Sequence, residues 1–229
     1  MIRTDNLKKV FYTDEVETTA LDSVNLEVKE GEFTAIMGPS GCGKSTLLHL
    51  LGLLDNPTEG TYLLLGEDVT QYSERRRAQF RKGNIGFVFQ SFNLIDELTV
   101  FENVELPLLY LGIAGSERKR RVDEILDRME IMARRNHFPV QLSGGQQQRV
   151  AVARAVVAHP KLILADEPTG NLDSTHGDDV MNLLKMLNEG GTTILMVTHS
   201  PAYAEFCNRT VHIFDGRLIA ENDVNTFHL

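Results

Sequence analysis

The chain has 229 residues, 42% hydrophobic and 24% charged, with 18 Gly, 7 Pro and no Trp, which is ordinary globular usage and excludes a disordered or fibrous protein. Its 32 acidic residues against 23 basic ones give a formal charge of -9, which disfavours the phosphate-backbone attraction behind nucleic-acid binding. No run approaches the roughly 18 apolar residues that span a bilayer, Met1-Ile2-Arg3-Thr4-Asp5 lacks a secretion-signal core, and Cys42 and Cys207 have no CxxC spacing, so one folding unit in a reduced cytosol is expected.

In chain order, short apolar runs at 33–37, 62–65, 85–89, 162–165 and 193–198 predict strands, several buried on both faces as parallel strands are. Two more follow at 209–214 and 217–221 around Asp215-Gly216. Helical periodicity occupies 44–53, 116–132, 143–158 and 174–188, some of it opened by a Ser able to cap free N–H groups. The alternation predicts an α/β fold, with residues 91–158 as a helical insertion between strands of one sheet.

Gly38-Pro39-Ser40-Gly41-Cys42-Gly43-Lys44-Ser45 satisfies G-x-x-x-x-G-K-[ST] between a strand and a helix, the context a phosphate-binding loop requires. Its glycines allow backbone N–H groups to wrap a polyphosphate, and the helix adds the positive end of its dipole. Lys44 supplies a charge to the β and γ phosphates, Ser45 a hydroxyl to Mg²⁺, and Thr46 reaches an α-phosphate oxygen. The strand at 162–165 leads into two adjacent carboxylates. Asp166 is placed to hold Mg²⁺ and Glu167 to polarise an attacking water. Cys42, at a helix N-terminus, is expected to be a reactive thiolate.

A second anion site is expected at Leu142-Ser143-Gly144-Gly145-Gln146, where a Ser and two glycines open another helix. One chain has no need of two γ-phosphate cradles, so this one is assigned to the nucleotide of another copy. On these residues the sequence closely resembles the nucleotide-binding subunits of ABC transporters over nearly its whole length. The resemblance implies a P-loop NTPase core with a mainly parallel sheet, an N-terminal antiparallel β subdomain and an inserted helical subdomain. These would form one ABC ATPase domain over 1–229, with core 1–90 and 159–229 and helical part 91–158.

It further implies that Gln90 touches Mg²⁺ and senses a membrane partner, that Asp173 in Gly170-Asn171-Leu172-Asp173 meets the opposite phosphate loop, and that His199 contacts the γ-phosphate. Counting back from Ala20-Leu21 favours Phe11 over Tyr12 as the ring stacked on adenine, with ordinary strand residues as the alternative for both. His137, His159, His176 and His212 are assigned to surface or packing.

The implied activity is hydrolysis of ATP with Mg²⁺ by two copies closed head to tail, driving a separate integral membrane permease from the cytoplasmic face of the inner membrane. No nucleic-acid partner is expected. The segments 31–33, 53–60 and 87–94 look most like the macrolide-export and lipoprotein-release branch. The permease contact should involve Phe92, Leu94, Ile95 and Leu98, unless these are subdomain core. The basic clusters Arg75-Arg76-Arg77 with Arg81-Lys82, and Arg118-Lys119-Arg120-Arg121, are either solvated helix faces or lipid-headgroup contacts. Competing readings are a soluble ABC ATPase on nucleic acid or ribosome, a phosphate-loop kinase or GTPase, for which no N-K-x-D segment occurs, and an ATP-binding module without turnover.

Overall fold

The computed structural model describes residues 1–12 and 16–219, so the last two residues of the strand expected at 217–221 lie outside them. In chain order the elements are β1 (Ile2–Tyr12), β2 (Glu17–Val28), β3 (Phe33–Met37), α1 (Lys44–Leu51), β4 (Glu59–Leu64), β5 (Glu67–Asp68), α2 (Glu74–Arg81), β6 (Ile85–Phe89), α3 (Val100–Tyr110) and α4 (Gly115–Arg128). Then come α5 (Gly144–Val156), β7 (Leu162–Asp166), α6 (Ser174–Glu189), β8 (Thr193–Val197), α7 (Pro201–Ala204), β9 (Arg209–Phe214) and β10 (Arg217–Ile219). The described residues divide into two compact units, those of 1–81 with 193–219, and those of 82–192.

In the first unit β3 runs parallel to β8 on one side and to β9 on the other, and β10 returns antiparallel on β9. Both β3 and β8 are almost wholly buried, so their unbroken apolar runs record burial on two faces. An antiparallel sheet of order β2-β1-β4-β5 completes this unit. Here burial alternates along the strands and β1 carries register shifts, which is why runs of consecutive apolar residues did not reveal β1 and β2 individually. Leu47, Leu48, Leu50 and Leu51 of α1 are all buried, each worth roughly 1.5–3 kcal/mol of transfer free energy.

The second unit pairs β6 parallel to β7 and adds α3 to α6. Three of the expected helices appear within a few residues of their predicted ends: α4, α5 and α6. Ser143 caps α5 as expected, whereas α6 is capped by Asp173, its carboxylate accepting from the His176 N–H at 3.0 Å. Helix α3 was not among the predicted ones. Pro107 interrupts its pattern, yet a capping box starts it: Thr99 Oγ1 accepts from the Glu102 N–H at 3.3 Å, and the Glu102 carboxylate from the Thr99 N–H at 2.8 Å.

Candidate functional site

In the first unit the phosphate loop joins β3 to α1. Gly43 stands at the head of α1 with φ 105°, and a Cβ there would lie 2.5 Å from the Ala20 carbonyl, so glycine alone fits. No side chain caps this helix, so the positive end of its dipole is turned to the loop. The turn at Asp215-Gly216 supports the loop from behind: the Gly216 N–H donates to the Cys42 carbonyl at 3.0 Å, and the Asp22 N–H to the Gly216 carbonyl at 2.8 Å. Lys44 is buried, and its Nζ donates to the Gly38 and Pro39 carbonyls at 2.8 and 2.7 Å. Its charge is therefore held against the loop it would serve. Pro39, Ser40, Gly41 and Ser45 are exposed, and Thr46 is half-buried.

Cys42 corrects an expectation. It is 5% exposed, and burial raises its thiol pKa against the opposing pull of Lys44, 3.9 Å away. Desolvation outweighs both the helix terminus and the ammonium here, so the resting group is a thiol. On β1, Phe11 is 43% exposed with the Lys9 ammonium 5.0 Å from its ring centre, while Tyr12 is 68% exposed. His199 is exposed immediately after β8, on a turn tied to β3 by the Thr198 N–H donating to the Ile36 carbonyl at 3.1 Å.

In the second unit β7 ends at the half-buried Asp166, and Glu167 follows in left-handed backbone with φ 45°. A left-handed conformation is costly for a side chain bearing a Cβ, and such residues cluster where chemistry is done. Gln90, after β6, is locked to the loop that follows Glu167. Its Nε2 donates to Asn171 Oδ1 at 3.2 Å, and Asn171 Nδ2 returns a bond to the Gln90 carbonyl at 3.0 Å.

The Ser143 turn also forms a capping box, its hydroxyl accepting from the Gln146 N–H at 3.3 Å and Gln146 Oε1 from the Ser143 N–H at 3.1 Å. Gln146 thus shapes the turn with its side chain, while Gly144 stays half-buried and Gly145 buried. His176, assigned to surface or packing from sequence, lies against Gly145: a Cβ on that glycine would meet its ring at 2.4 Å. Its Nδ1 sits 2.8 Å from the Asp173 carboxylate, whose pKa the hydrogen bonds from His176 lower.

Two residues absent from the sequence assignments organise the segment after Gln90. Arg154 on α5 donates to the Asn93 and Phe92 carbonyls at 2.5 and 2.8 Å, where both acceptor residues are left-handed. Buried Asn103 on α3 accepts from the Ile95 N–H at 2.8 Å and donates to the Ile95, Leu98 and Thr99 carbonyls. Of the four apolar residues between them, only Ile95 is exposed, at 42%. No local spacing announces a long-range clamp of this kind, although Arg154 and Asn103 are polar residues on otherwise apolar helix faces.

The basic cluster on α4 is largely neutralised within the chain, and the cluster at 75–82 in part. Buried Arg77 pairs with Glu74 and Asn56, and Arg81 reaches Glu74 and the Leu53 carbonyl. On α4, Arg118, Lys119, Arg120 and Arg121 pair with Glu105, Asp123, Glu117 and Glu124. The α4 pairings offset that cluster's positive charge and favour the solvated-face alternative for it.

A family model described as ABC transporter matches residues 21–170. This chain belongs to the ABC transporter family. It is 49% identical over 219 residues to the uncharacterised ABC transporter ATP-binding protein MJ1508 of Methanocaldococcus jannaschii, covering 96% of this chain and 98% of that one. It is 44% identical over 228 residues to the macrolide export ATP-binding/permease protein MacB of Brucella melitensis, covering all of this chain and 35% of the relative. The dimeric post-hydrolysis structure of the ATP-binding cassette MJ0796, bound to ADP and Pi, superposes with a TM-score of 0.89 at 46% identity, over 96% of this chain and 97% of that one. The cassette is therefore an ATP-binding ABC ATPase, with the α/β architecture and N-terminal antiparallel sheet anticipated from sequence.

Proposed function

We propose that two copies of this chain close head to tail around two Mg-ATP and, on hydrolysis, drive a separate membrane permease in export, lipoprotein release or mechanical transmission across the membrane. In this assembly each nucleotide lies against one copy's phosphate loop, Lys44, Ser45, Thr46, Asp166 and Gln90, and against the other copy's Ser143, Gly144 and Gly145. Asp173 faces the opposite phosphate loop, and Phe11 stacks on the base. The observation that carries this is the Ser143-capped start of α5, which presents a second helix N-terminus packed through His176 to Asp173. MJ0796, described as dimeric with ADP and Pi, supports it. MacB, whose printed name joins macrolide export and an ATP-binding part to a permease, supports the export assignment and a permease partner; with such a partner the chain would work at the cytoplasmic face of the inner membrane. Among the described residues no helix is long and apolar enough to cross a membrane.

The donor set suits Mg²⁺. A Ser45 hydroxyl, a Gln90 amide oxygen and one Asp166 carboxylate are hard oxygen ligands for a cation that keeps several waters and shares the substrate's phosphates. Asn171 takes the Gln90 amide nitrogen, which leaves the oxygen as the ligand atom. Bound there, the cation would neutralise charge developing on the phosphate oxygens. Glu167 accepts the proton of the attacking water, His199 and Lys44 hold the γ-phosphoryl group in line, and the loop N–H groups stabilise the transferred charge.

The Glu167→Gln variant tests this. It should bind ATP normally, lose roughly 10²–10⁴ of its turnover and elute as a dimer with Mg-ATP. A variant that stays monomeric under saturating Mg-ATP, or keeps native phosphate release, would refute the assignment.

A further inference from the structure

In the Gln147-Gln148-Arg149-Val150 run after the signature turn, Gln148 is the polar residue that is fully buried. It lies one turn into α5 from the Ser143 cap. Its Nε2 donates to the Pro168 carbonyl at 2.5 Å and, more weakly, to the Phe89 carbonyl at 3.4 Å. Pro168 is the residue after Glu167, and Phe89 the residue before Gln90. One amide nitrogen therefore joins the helix that starts at the signature turn to the backbone beside both nominated reaction-site residues.

The energetics argue that stability is not the reason for this amide. With both nearby oxygens being carbonyls, the nitrogen must face them, and Oε1 is left buried with no partner. An unmatched buried polar atom costs about 1–3 kcal/mol, so an apolar side chain of similar volume would serve packing at least as well. What the amide does supply is a restraint where the backbone needs one. Glu167 is left-handed and precedes a proline, two independent conformational penalties on one residue. Such a conformation persists only where its surroundings over-determine it. The Gly170 N–H holds the Glu167 carbonyl at 2.9 Å, and Gln148 holds the next one.

We infer that Gln148 is a positioning residue for ATP hydrolysis, bracing the strained backbone of Glu167 from the signature helix so that the carboxylate is aimed at the water. The inference rests on Glu167 being the base proposed above. It also makes the direction of that carboxylate depend on where the signature helix sits, so that a copy engaged through its Ser143 turn has its own base held.

Two substitutions test it in the full chain by steady-state phosphate release. Gln148→Met keeps the volume and removes the donor. Gln148→Glu keeps the shape but sets a carboxylate against two carbonyl oxygens, near Asp166 and Glu167; Arg149 and Arg154 on the same helix are engaged with Glu130, Asp179 and the Phe92 and Asn93 carbonyls, and His176 with Asp173. Burial and those neighbours raise the pKa of the introduced carboxyl, and its protonated form has an O–H to give the Pro168 carbonyl.

At pH 8 both variants should lose at least about tenfold in kcat with the ATP KM within about threefold of native, the pattern of an interaction used in the transition state. From pH 8 to pH 6 the Gln148→Glu to native ratio should recover severalfold, while the Gln148→Met ratio stays flat. Native kcat in either variant, a flat or falling Gln148→Glu ratio, or a loss carried by KM or nucleotide binding would overturn the inference. Failure of the base assignment is recognised separately, by a Glu167→Gln variant that turns over.

Discussion

Arg154 offers a direct measure of how firmly the segment after Gln90 is held. Its part-buried guanidinium donates to the Asn93 and Phe92 carbonyls at 2.5 and 2.8 Å, and burial lowers its pKa. The two acceptor residues have φ of 51° and 61°, conformations that cost about 1–2 kcal/mol each for side chains with a Cβ. A hydrogen bond to a charged group contributes about 1.5–3 kcal/mol, so the pair is worth roughly 3–6 kcal/mol before the guanidinium's own desolvation is subtracted. In the Arg154→Met variant a net loss of about 2–4 kcal/mol is expected. By the scaling for domains of this size, that lowers the melting temperature by roughly 5–15 °C. Arg154→Lys keeps the charge but has a shorter reach and lacks the planar fork that meets both carbonyls, and should recover about half. Urea denaturation followed by circular dichroism measures both. A cost under about 0.5 kcal/mol for Arg154→Met, or a lysine variant equal to the native chain, would refute the clamp.

Cys42 should alkylate more slowly than a free thiol at neutral pH, because burial disfavours its thiolate, and Cys207, pushed up to about 12 by burial, should be slower still; a Cys42 rate at or above that of free cysteine would refute the burial argument. Glu117 on α4 is held at about 2 by hydrogen bonds from Arg120 and then Arg121. Since this folded value lies below the unfolded one near 4.3, its contribution to stability is in place above that pH and disappears as pH falls towards 2. Side-chain NMR titration should show the low midpoint, and replacing both arginines with glutamine should return it to about 4; a native midpoint above 4 would refute the pairing.

The phosphate loop, the carboxylate pair after β7 and the signature turn were legible in the sequence because each is a local device. A strand, a few glycines and a helix start within a dozen residues fix where backbone N–H groups point, whatever lies around them. The same holds for β3, β7 and β8, whose unbroken apolar runs describe burial on both faces. Strands β1 and β2 were individually hidden by alternation and bulges, and α3 by Pro107, although its Thr99-Glu102 capping box was there to be seen.

What only the tertiary structure decided is which polar side chains join segments distant in sequence. Gln148 to Pro168, Arg154 to Phe92, Gln90 to Asn171 and Asn103 to Ile95 are pairings between elements, and nothing in the residue types or their spacing selects those partners. Cys42 makes the same point about electrostatics. Its place at a helix start favours a thiolate, but its exclusion from water is set by the surrounding chain, and in a buried site desolvation of the charged form is the larger effect. Local geometry thus fixed the chemistry available to this protein, and long-range packing fixed the backbone conformations and charge states in which it is used.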